Sequence, residues 1–508
     1  MKARNKGILL SYALLLFEAL YTLLIIPICA KAFGQGNYGV YNIAFTLTAY
    51  IMLLDMGMGN AVVKFMAQYN NTNEIEKQKN FFAVSLVYYF IIAFISVLIS
   101  LLLIYFANRI YQGSLSFVEI SLLKKLLFIT MINTFLMLIG NVYLNILVAF
   151  EKFVFIKSIS IIFIILRIIA TIICVKYGGK AVAVTVINAI ATGVRLLLCA
   201  LYVFFKLKLK PKWVGVDKKF VKLIFIYISI ILLQMVATQL NKLVDSLLLS
   251  FMVENSAPIV AVYTVGSTLA YYLSSFASGI NGVMMPSMVK LVTNHENPQT
   301  IQAEMVKISR MVFIVVGLIF AIFLVNGQAF ISFWVGNEYK MAYYVAIILM
   351  LPLVFSLSEM VGTQILWAMD KAKILAYLQI FVAIMNIGIT VILIKWKPII
   401  GAAIGTAIAL FVGDLFARLV VYKKQIKINS LQYLYQFIKG ILLCLIISIG
   451  CGYSFNYLVN AIGIPIIWEF VASCIIMLIV FMLTMILFGF NKYEKDLIRS
   501  KLKKFSRK

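Results

Sequence analysis

The chain has 508 residues, 64% of them hydrophobic and only 12% charged, and its mean hydropathy is strongly positive. That composition excludes a soluble globular protein and predicts a polytopic membrane protein with little room for linkers or tails. A formal net charge of +27 would suit nucleic acid, but a basic nucleic-acid face needs a solvated domain to carry it. The sequence offers none, so no nucleic-acid partner is expected.

The first apolar run follows Lys2, Arg4 and Lys6, and Ala30-Lys31-Ala32 mimics a cleavage site. At about 23 residues the run is too long for a signal core and fits a retained span. Taking about 20 mostly apolar residues per span, the sequence predicts fourteen, at 8–30, 38–63, 81–106, 126–149, 154–175, 181–205, 221–249, 258–284, 308–331, 342–364, 374–394, 399–421, 436–458 and 465–489. The eighth is the most diluted, by Ser274, Ser275, Ser278, Gly279 and Asn281. Lysines and arginines cluster at 206–222 and in the tail 492–508. Basic loops resist translocation, so these segments and both termini are expected in the cytoplasm. The longest outer loop is expected at 107–125, with Glu119 its single acid, and the only histidine, His295, in a cytoplasmic loop. Cys29, Cys174, Cys199, Cys444, Cys451 and Cys474 are scattered through apolar runs. They predict neither a disulfide framework nor a metal knuckle, and read as small buried hydrophobes.

The chain is also internally duplicated. LVAFEKFVF at 147–155 and LWAMDKAKI at 366–374 lie 219 residues apart, and each carries an acid followed by lysine. Lys176 and Tyr177 match Lys395 and Trp396, while Gly193 and Tyr202 match Gly413 and Tyr422. Tyr41, Leu47, Tyr50 and Gly57 line up with Tyr263, Leu269, Tyr272 and Gly279. Six helices per repeat is an even number, so the halves share an orientation and are related by an axis along the membrane normal. The expected fold class is all-α, with two pseudo-symmetric six-helix lobes plus two additional C-terminal helices. An N-lobe covers 1–206, a cytoplasmic linker 207–219, a C-lobe 220–428, and the extra helices with their basic tail 429–508. Lobes related in this way enclose a cavity that opens alternately to either side, which is transport rather than catalysis.

Ionisable groups inside spans cost roughly 2.5 to 3.5 kcal/mol each, so they normally face a cavity or a partner. They are Glu18, Asp55, Arg167, Arg195, Lys242, Asp245, Glu359, Asp414 and Arg418. Lys242 with Asp245 and Asp414 with Arg418 have the spacing to neutralise each other on one helix face. Asp55 falls near the end of its span and within reach of Lys64. Glu18, Arg167, Arg195 and Glu359 lack such neighbours and are candidates either for a cavity or for buried ion pairs between helices. A guanidinium fork in a wet cavity suits phosphate oxygens. Asn133, Asn141, Asn145, Ser160, Asn188, Gln234, Gln239, Asn241, Gln364, Gln379 and Asn386 would either join helices or line a sugar site.

Residues 33–65, FGQGNYGVYNIAFTLTAYIMLLDMGMGNAVVKF, open with Gly34, Tyr38, Gly39 and Tyr41 and close with Asp55, Gly57, Ala61 and Lys64. This pattern resembles the second-helix signature of the bacterial polysaccharide transporter family, the Wzx-type O-antigen or capsule repeat-unit flippases of the multidrug/oligosaccharidyl-lipid/polysaccharide superfamily. The resemblance implies movement of an undecaprenyl-diphosphate-linked glycan across the bacterial cytoplasmic membrane. Its partners would be that glycan, membrane lipids, a glycan polymerase and a chain-length regulator. It further implies a cationic lumen for the diphosphate, formed by Arg167, Arg195, Lys242 and Lys64. Glu18, Asp55, Glu359, Asp245 and Asp414 are the ion-coupling or gating candidates, and no catalytic or metal-binding residue is expected.

Two other transport readings stay open, a drug or cation antiporter on the same scaffold and a lipid II flippase. An antiporter predicts an acidic lumen, for which Glu18 and Glu359 could serve, whereas Arg167 and Arg195 would repel a cationic drug. A membrane-embedded polymerase or glycosyltransferase needs catalytic carboxylates or histidine outside the membrane, and the loops supply few. No Gly-rich phosphate loop with Lys-Ser/Thr occurs. No cofactor is expected, and the energy source is a proton or sodium gradient, or consumption of product outside.

Overall fold

The computed structural model describes residues 2–55, 57–215, 218–294, 296–460 and 465–496, which leaves the sequence's single histidine outside. Hydrocarbon offers no water to backbone N–H and C=O groups, so a chain this apolar must satisfy them within helices. Two compact units result, Met1–Thr264 and Val265–Lys508. The first contains α1 (Lys2–Phe33), α2 (Gln35–Ile51), α3 (Met58–Asn71), α4 (Ile75–Ile110), α5 (Phe117–Ala149), α6 (Phe153–Lys176), α7 (Ala181–Leu201), α8 (Lys218–Met252) and the start of α9 (Ser256–Thr293). The second continues with α10 (Pro298–Trp334), α11 (Met341–Ser358), α12 (Val361–Ala368), α13 (Ala372–Ile394), α14 (Pro398–Ala409), α15 (Arg418–Gln425), α16 (Ser430–Ile438), α17 (Ile441–Asn460) and α18 (Ile466–Thr484).

Among the described residues, thirteen helical segments are long and apolar enough to cross a membrane. The 35-residue α8 stands where the seventh of the fourteen expected spans lies. The fold is the all-α, multi-pass architecture that the apolar runs predict. Several spans are built from two pieces. The second breaks after Ile51 into a single 3-10 turn, Met52–Asp55. Gly57 then sits in the left-handed region (φ 77°) and starts α3, a conformation open to glycine at no steric cost. The second span is thus interrupted between Met52 and Gly57. The tenth span breaks at Glu359, and the twelfth passes through a π-helical segment, Leu410–Ala417.

Two expectations are revised, and the expected linker gains anchors. The outer loop expected at 107–125 shrinks to residues 111–116 because α4 and α5 run on into it. Ser116 and Glu119 form a reciprocal capping box that starts α5, so Glu119 serves the backbone. Of the cysteines, only Cys29, Cys199 and Cys444 are buried; Cys174 and Cys474 are half-buried and Cys451 is exposed. Residues 207–215, expected as a linker between lobes, are pinned onto the first unit: the Lys212 amide donates to the Lys79 carbonyl at 3.1 Å, and the Asn80 side chain accepts from the Val214 amide and donates to the Gly215 carbonyl.

The duplication is written into the backbone. Glu151 and Asp370, 219 residues apart, both occupy the left-handed region, at φ 55° and 57°. The lysine after each donates its amide to the residue five earlier, Lys152 to Leu147 and Lys371 to Leu366, both at 2.9 Å. This is the closure that ends a helix by returning the chain on itself. At the same spacing, Lys208 (φ 54°) and Lys427 (φ 62°) share the left-handed conformation.

Packing explains two glycines of the 33–65 segment. A Cβ on Gly39 would overlap the carbonyl of Ala257, and one on Gly59 would meet the Asn145 amide nitrogen at 2.7 Å. Around Gly59 the core of the first unit is formed by Met58, Val62 and Met66 of α3 with Phe82 and Tyr89 of α4, and Leu138 and Ile146 of α5. In the second unit, α17 and α18 pack on α10. Arg310 of α10, almost fully buried, donates Nε and Nη2 to Glu494 at 2.8 and 3.1 Å. Its other contacts are the carbonyls of Gln436, Lys439 and Gly489. All five guanidinium N–H groups are used, and three of their acceptors are carbonyls at or just past helix ends that the helices themselves leave free.

Gly39→Ala should lower the melting temperature of the detergent-solubilised protein by an amount corresponding to about 1 to 3 kcal/mol. A wild-type melting curve would contradict the Ala257 contact. Arg310→Leu should cost about 3 to 5 kcal/mol, because the Glu494 carboxylate would be left buried and unpaired. Arg310→Lys, with three donors instead of five, should recover only part of that loss.

Candidate functional site

Among the described residues, two polar clusters within the membrane-spanning helices gather residues singled out in the sequence around an arginine, one in each unit. In the first, Arg167 projects from the middle of α6 between α1 and α7. Its Nε donates to Asn188 Oδ1 at 2.9 Å and its Nη2 to the Tyr21 hydroxyl at 2.8 Å. The guanidinium carbon stands 4.7 Å from the centroid of the Tyr21 ring, a cation–π contact. Asn188, buried, donates in turn to the Tyr41 hydroxyl at 3.5 Å. Tyr41 continues an aromatic row on α2, stacked on Tyr38 and 4.5 Å from Phe45 between centroids.

Arg195 of α7 is half-buried and lies within electrostatic reach of Arg167 and Glu18. Glu18, on α1, is exposed. Three of the residues singled out in the sequence therefore share one neighbourhood, assembled from α1, α6 and α7. Arg167 remains half-exposed, and among the described residues two of its five N–H donors are engaged, by Asn188 and Tyr21. The cluster thus offers a fixed, incompletely satisfied guanidinium to a ligand that accepts hydrogen bonds.

The second cluster is closed. Glu359, fully buried at the break between α11 and α12, pairs with Arg418 Nη1 at 3.0 Å. Arg418 Nη2 bonds Asp414, which also accepts from Gln379 Nε2 at 2.8 Å. The i,i+4 pairing of Asp414 and Arg418 is present, and Glu359 joins it from another helix. Here one cation is shared by two carboxylates.

The remaining candidates are dispersed. Asp55 is half-buried at the break in the second span, with Tyr88 and Tyr89 of α4 in its electrostatic surroundings. Its Oδ1 is shielded from solvent, and the Tyr89 hydroxyl interacts with the carboxyl. Lys64 is exposed on α3, its ammonium 5.5 Å from the centroid of the Phe65 ring. On α8, Lys242 is exposed whereas Asp245 is buried and accepts the Tyr263 hydroxyl. Tyr263 and Tyr422, which donates to the Glu359 carbonyl at 3.3 Å, stood out in the sequence as repeat positions without a role, and Tyr21 had no signal beyond being one of 27 tyrosines.

The repeat places Asn386 219 residues after Arg167. Asn386 Oδ1 accepts from Thr390 and Thr406 at 2.9 and 2.8 Å, closing α13 on α14 as Arg167 and Asn188 close α6 on α7. The same joint therefore carries a cation in the first unit and a neutral amide in the second.

A lipid II flippase, MurJ, in an inward closed conformation shares this fold at 19% identity, with a TM-score of 0.76, over 97% of this chain and all of that one. An inward-facing multidrug resistance MATE transporter of the MOP superfamily matches at 16% identity and TM-score 0.60, over 80% of this chain and 96% of that one. The MATE transporter VcmN of Vibrio cholerae, in its bent form, matches at 12% identity and TM-score 0.54, over 85% and 98% of the two chains. No curated protein matches the sequence. A family profile described as polysaccharide biosynthesis protein matches residues 5–292, which span the whole of the open arginine cluster. The chain is a member of the polysaccharide biosynthesis protein family.

Proposed function

We propose that the protein is a flippase that moves undecaprenyl-diphosphate-linked oligosaccharide repeat units across the bacterial cytoplasmic membrane by alternating access, for O-antigen, capsule or exopolysaccharide synthesis. The observation that carries this reading is the contrast among three intramembrane or membrane-margin arginines. Arg310 has all five donors used, and Arg418 is neutralised by two carboxylates. Arg167 is held by two neutral partners and keeps donors in hand.

A guanidinium fixed edge-on by an amide and a tyrosine is pre-oriented for the oxygens of a diphosphate. Arg195 adds a second positive charge nearby, and the Tyr21, Tyr38 and Tyr41 rings offer faces against which a sugar can stack. Lys64 and Lys242, both exposed, would attract the diphosphate from further away. The break at Asp55 would act as a hinge and let α2 and α3 change their mutual angle as the site opens and closes, and a proton or sodium gradient would act through Glu18 or Asp245. Glu359 and Asp414, tied to Arg418, would couple only if that network opened.

Lipid II is the second substrate reading, favoured by the likeness to a lipid II flippase, since an arginine fork reads phosphate oxygens without reading the sugar. An antiporter for cationic drugs would have to bind its substrate beside two arginines with one exposed carboxylate nearby.

Arg167→Ala, expressed to wild-type levels in membranes, should reduce surface polymer export by about tenfold or more, the effect of losing a charge-assisted hydrogen bond of about 1.5 to 3 kcal/mol. Asn188→Ala should have a smaller effect in the same direction, because the guanidinium keeps its charge and loses its aim. Full export by Arg167→Ala would overturn the role of the cluster. Asp55→Ala should also lower export, and unchanged export would remove the hinge from the transport cycle.

A further inference from the structure

Residues 206–213, KLKLKPKW, alternate lysine with apolar or proline residues at a period of two. The chain leaves the π turn through a left-handed Lys208 (φ 54°), and over 206–210 its leucines turn inward and its lysines outward. Leu209 is buried in the core of the first unit with Leu207 packed against it, while Lys206, Lys208, Lys210 and Lys212 are all exposed. Both ends are fixed. Lys206 is the last residue of the sixth span's terminal π turn, and the Leu209 amide returns to the Val203 carbonyl at 3.2 Å. At the other end, Lys212, Val214 and Gly215 are held by Lys79 and Asn80 in the first turns of α4.

Those anchors fix the depth of the strip. The 36 residues of α4 span about 54 Å at 1.5 Å per residue, well beyond a hydrocarbon core of about 30 Å. Lys79 and Asn80 therefore lie where α4 leaves the apolar layer, and Lys206 where the sixth span does. A strip strung between these two points runs along the membrane–water boundary. Large apolar side chains are exposed beside the lysines: Phe205 is 73% exposed, Trp213 56% and Val214 65%. Lys212 is paired with Glu76 at 2.8 Å. Among the described residues, no acidic side chain forms an ion pair with Lys206, Lys208 or Lys210.

The preference for basic residues on one side of a membrane accounts for lysines here. It requires neither a regular alternation nor a segment clamped at both ends, and a solvated charge run does not keep tryptophan, phenylalanine and valine exposed beside it. We infer that residues 205–214 form a docking surface for anionic phospholipid headgroups in the leaflet they face. Lys206, Lys208 and Lys210 would bind headgroup phosphates, and Phe205 and Trp213 would enter the interfacial layer. Basic residues beside a membrane attract anionic lipid electrostatically, and tryptophan favours that depth.

The test uses the full chain in detergent micelles, titrated with dioleoyl phosphatidylglycerol or dioleoyl phosphatidylcholine and read by native mass spectrometry. Wild-type protein should bind phosphatidylglycerol about tenfold more tightly than phosphatidylcholine at low salt, and the preference should shrink as salt is raised. The triple variant K206Q/K208Q/K210Q should lose that preference, K206R/K208R/K210R should keep it, and Trp213→Ala should weaken both lipids. A preference that survives the triple glutamine substitution, or one insensitive to salt in the wild type, overturns the proposal. So does a triple variant that loses undecaprenyl phosphate while retaining phosphatidylglycerol, since the strip would then serve the carrier lipid instead. Because binding is measured without transport, failure here is distinct from failure of the flippase reading.

Discussion

Inside a bilayer every polar group must find its partner within the chain or face a cavity, because hydrocarbon supplies neither hydrogen bonds nor dielectric relief. This constraint orders the whole structure. Arg310 meets it by collecting three terminal carbonyls and a carboxylate, which ties the last two spans to α10. Arg418 meets it with Glu359 and Asp414 at the point where two helices depart from regular α geometry. Arg167 meets it only in part, with two neutral partners and a half-exposed side chain. Where the constraint is left incompletely met, a ligand has something to do.

The duplication sharpens that difference. One backbone design was used twice, as the left-handed Glu151 and Asp370 and the left-handed Lys208 and Lys427 show at a common spacing. Yet the joint between the fifth and sixth helices of each repeat holds an arginine in one unit and an asparagine in the other. The acid-arginine network, in turn, occurs in the second unit. The two copies thus share a scaffold and divide their charge.

Much of the scaffold was legible in the sequence, because span length and apolar content follow from bilayer thickness. The helix-turn devices were legible as acid-lysine pairs at a common spacing, and the break in the second span lies at Asp55 and Gly57, which the sequence marked as part of the family pattern. Other features left no such trace. Whether Glu359 was a free carboxylate or half of an ion pair depended on Arg418, 59 residues away on another helix. Tyr21 could not be told from the other tyrosines, because its role comes from the approach of α6 to α1. The capping role of Glu119 and the pinning of 207–215 were missed for a related reason: loop lengths were read from hydropathy, whereas helices continue past the hydrocarbon wherever caps and side chains satisfy their ends.

The most direct measurement is made on cells from which this chain has been depleted, by determining which lipid-linked glycans accumulate and in which leaflet. The account predicts an undecaprenyl-diphosphate-linked oligosaccharide trapped on the cytoplasmic face, cleared when the wild-type chain is restored and not when Arg167→Ala is supplied. Unchanged glycan pools together with a loss of cationic dye extrusion would contradict it.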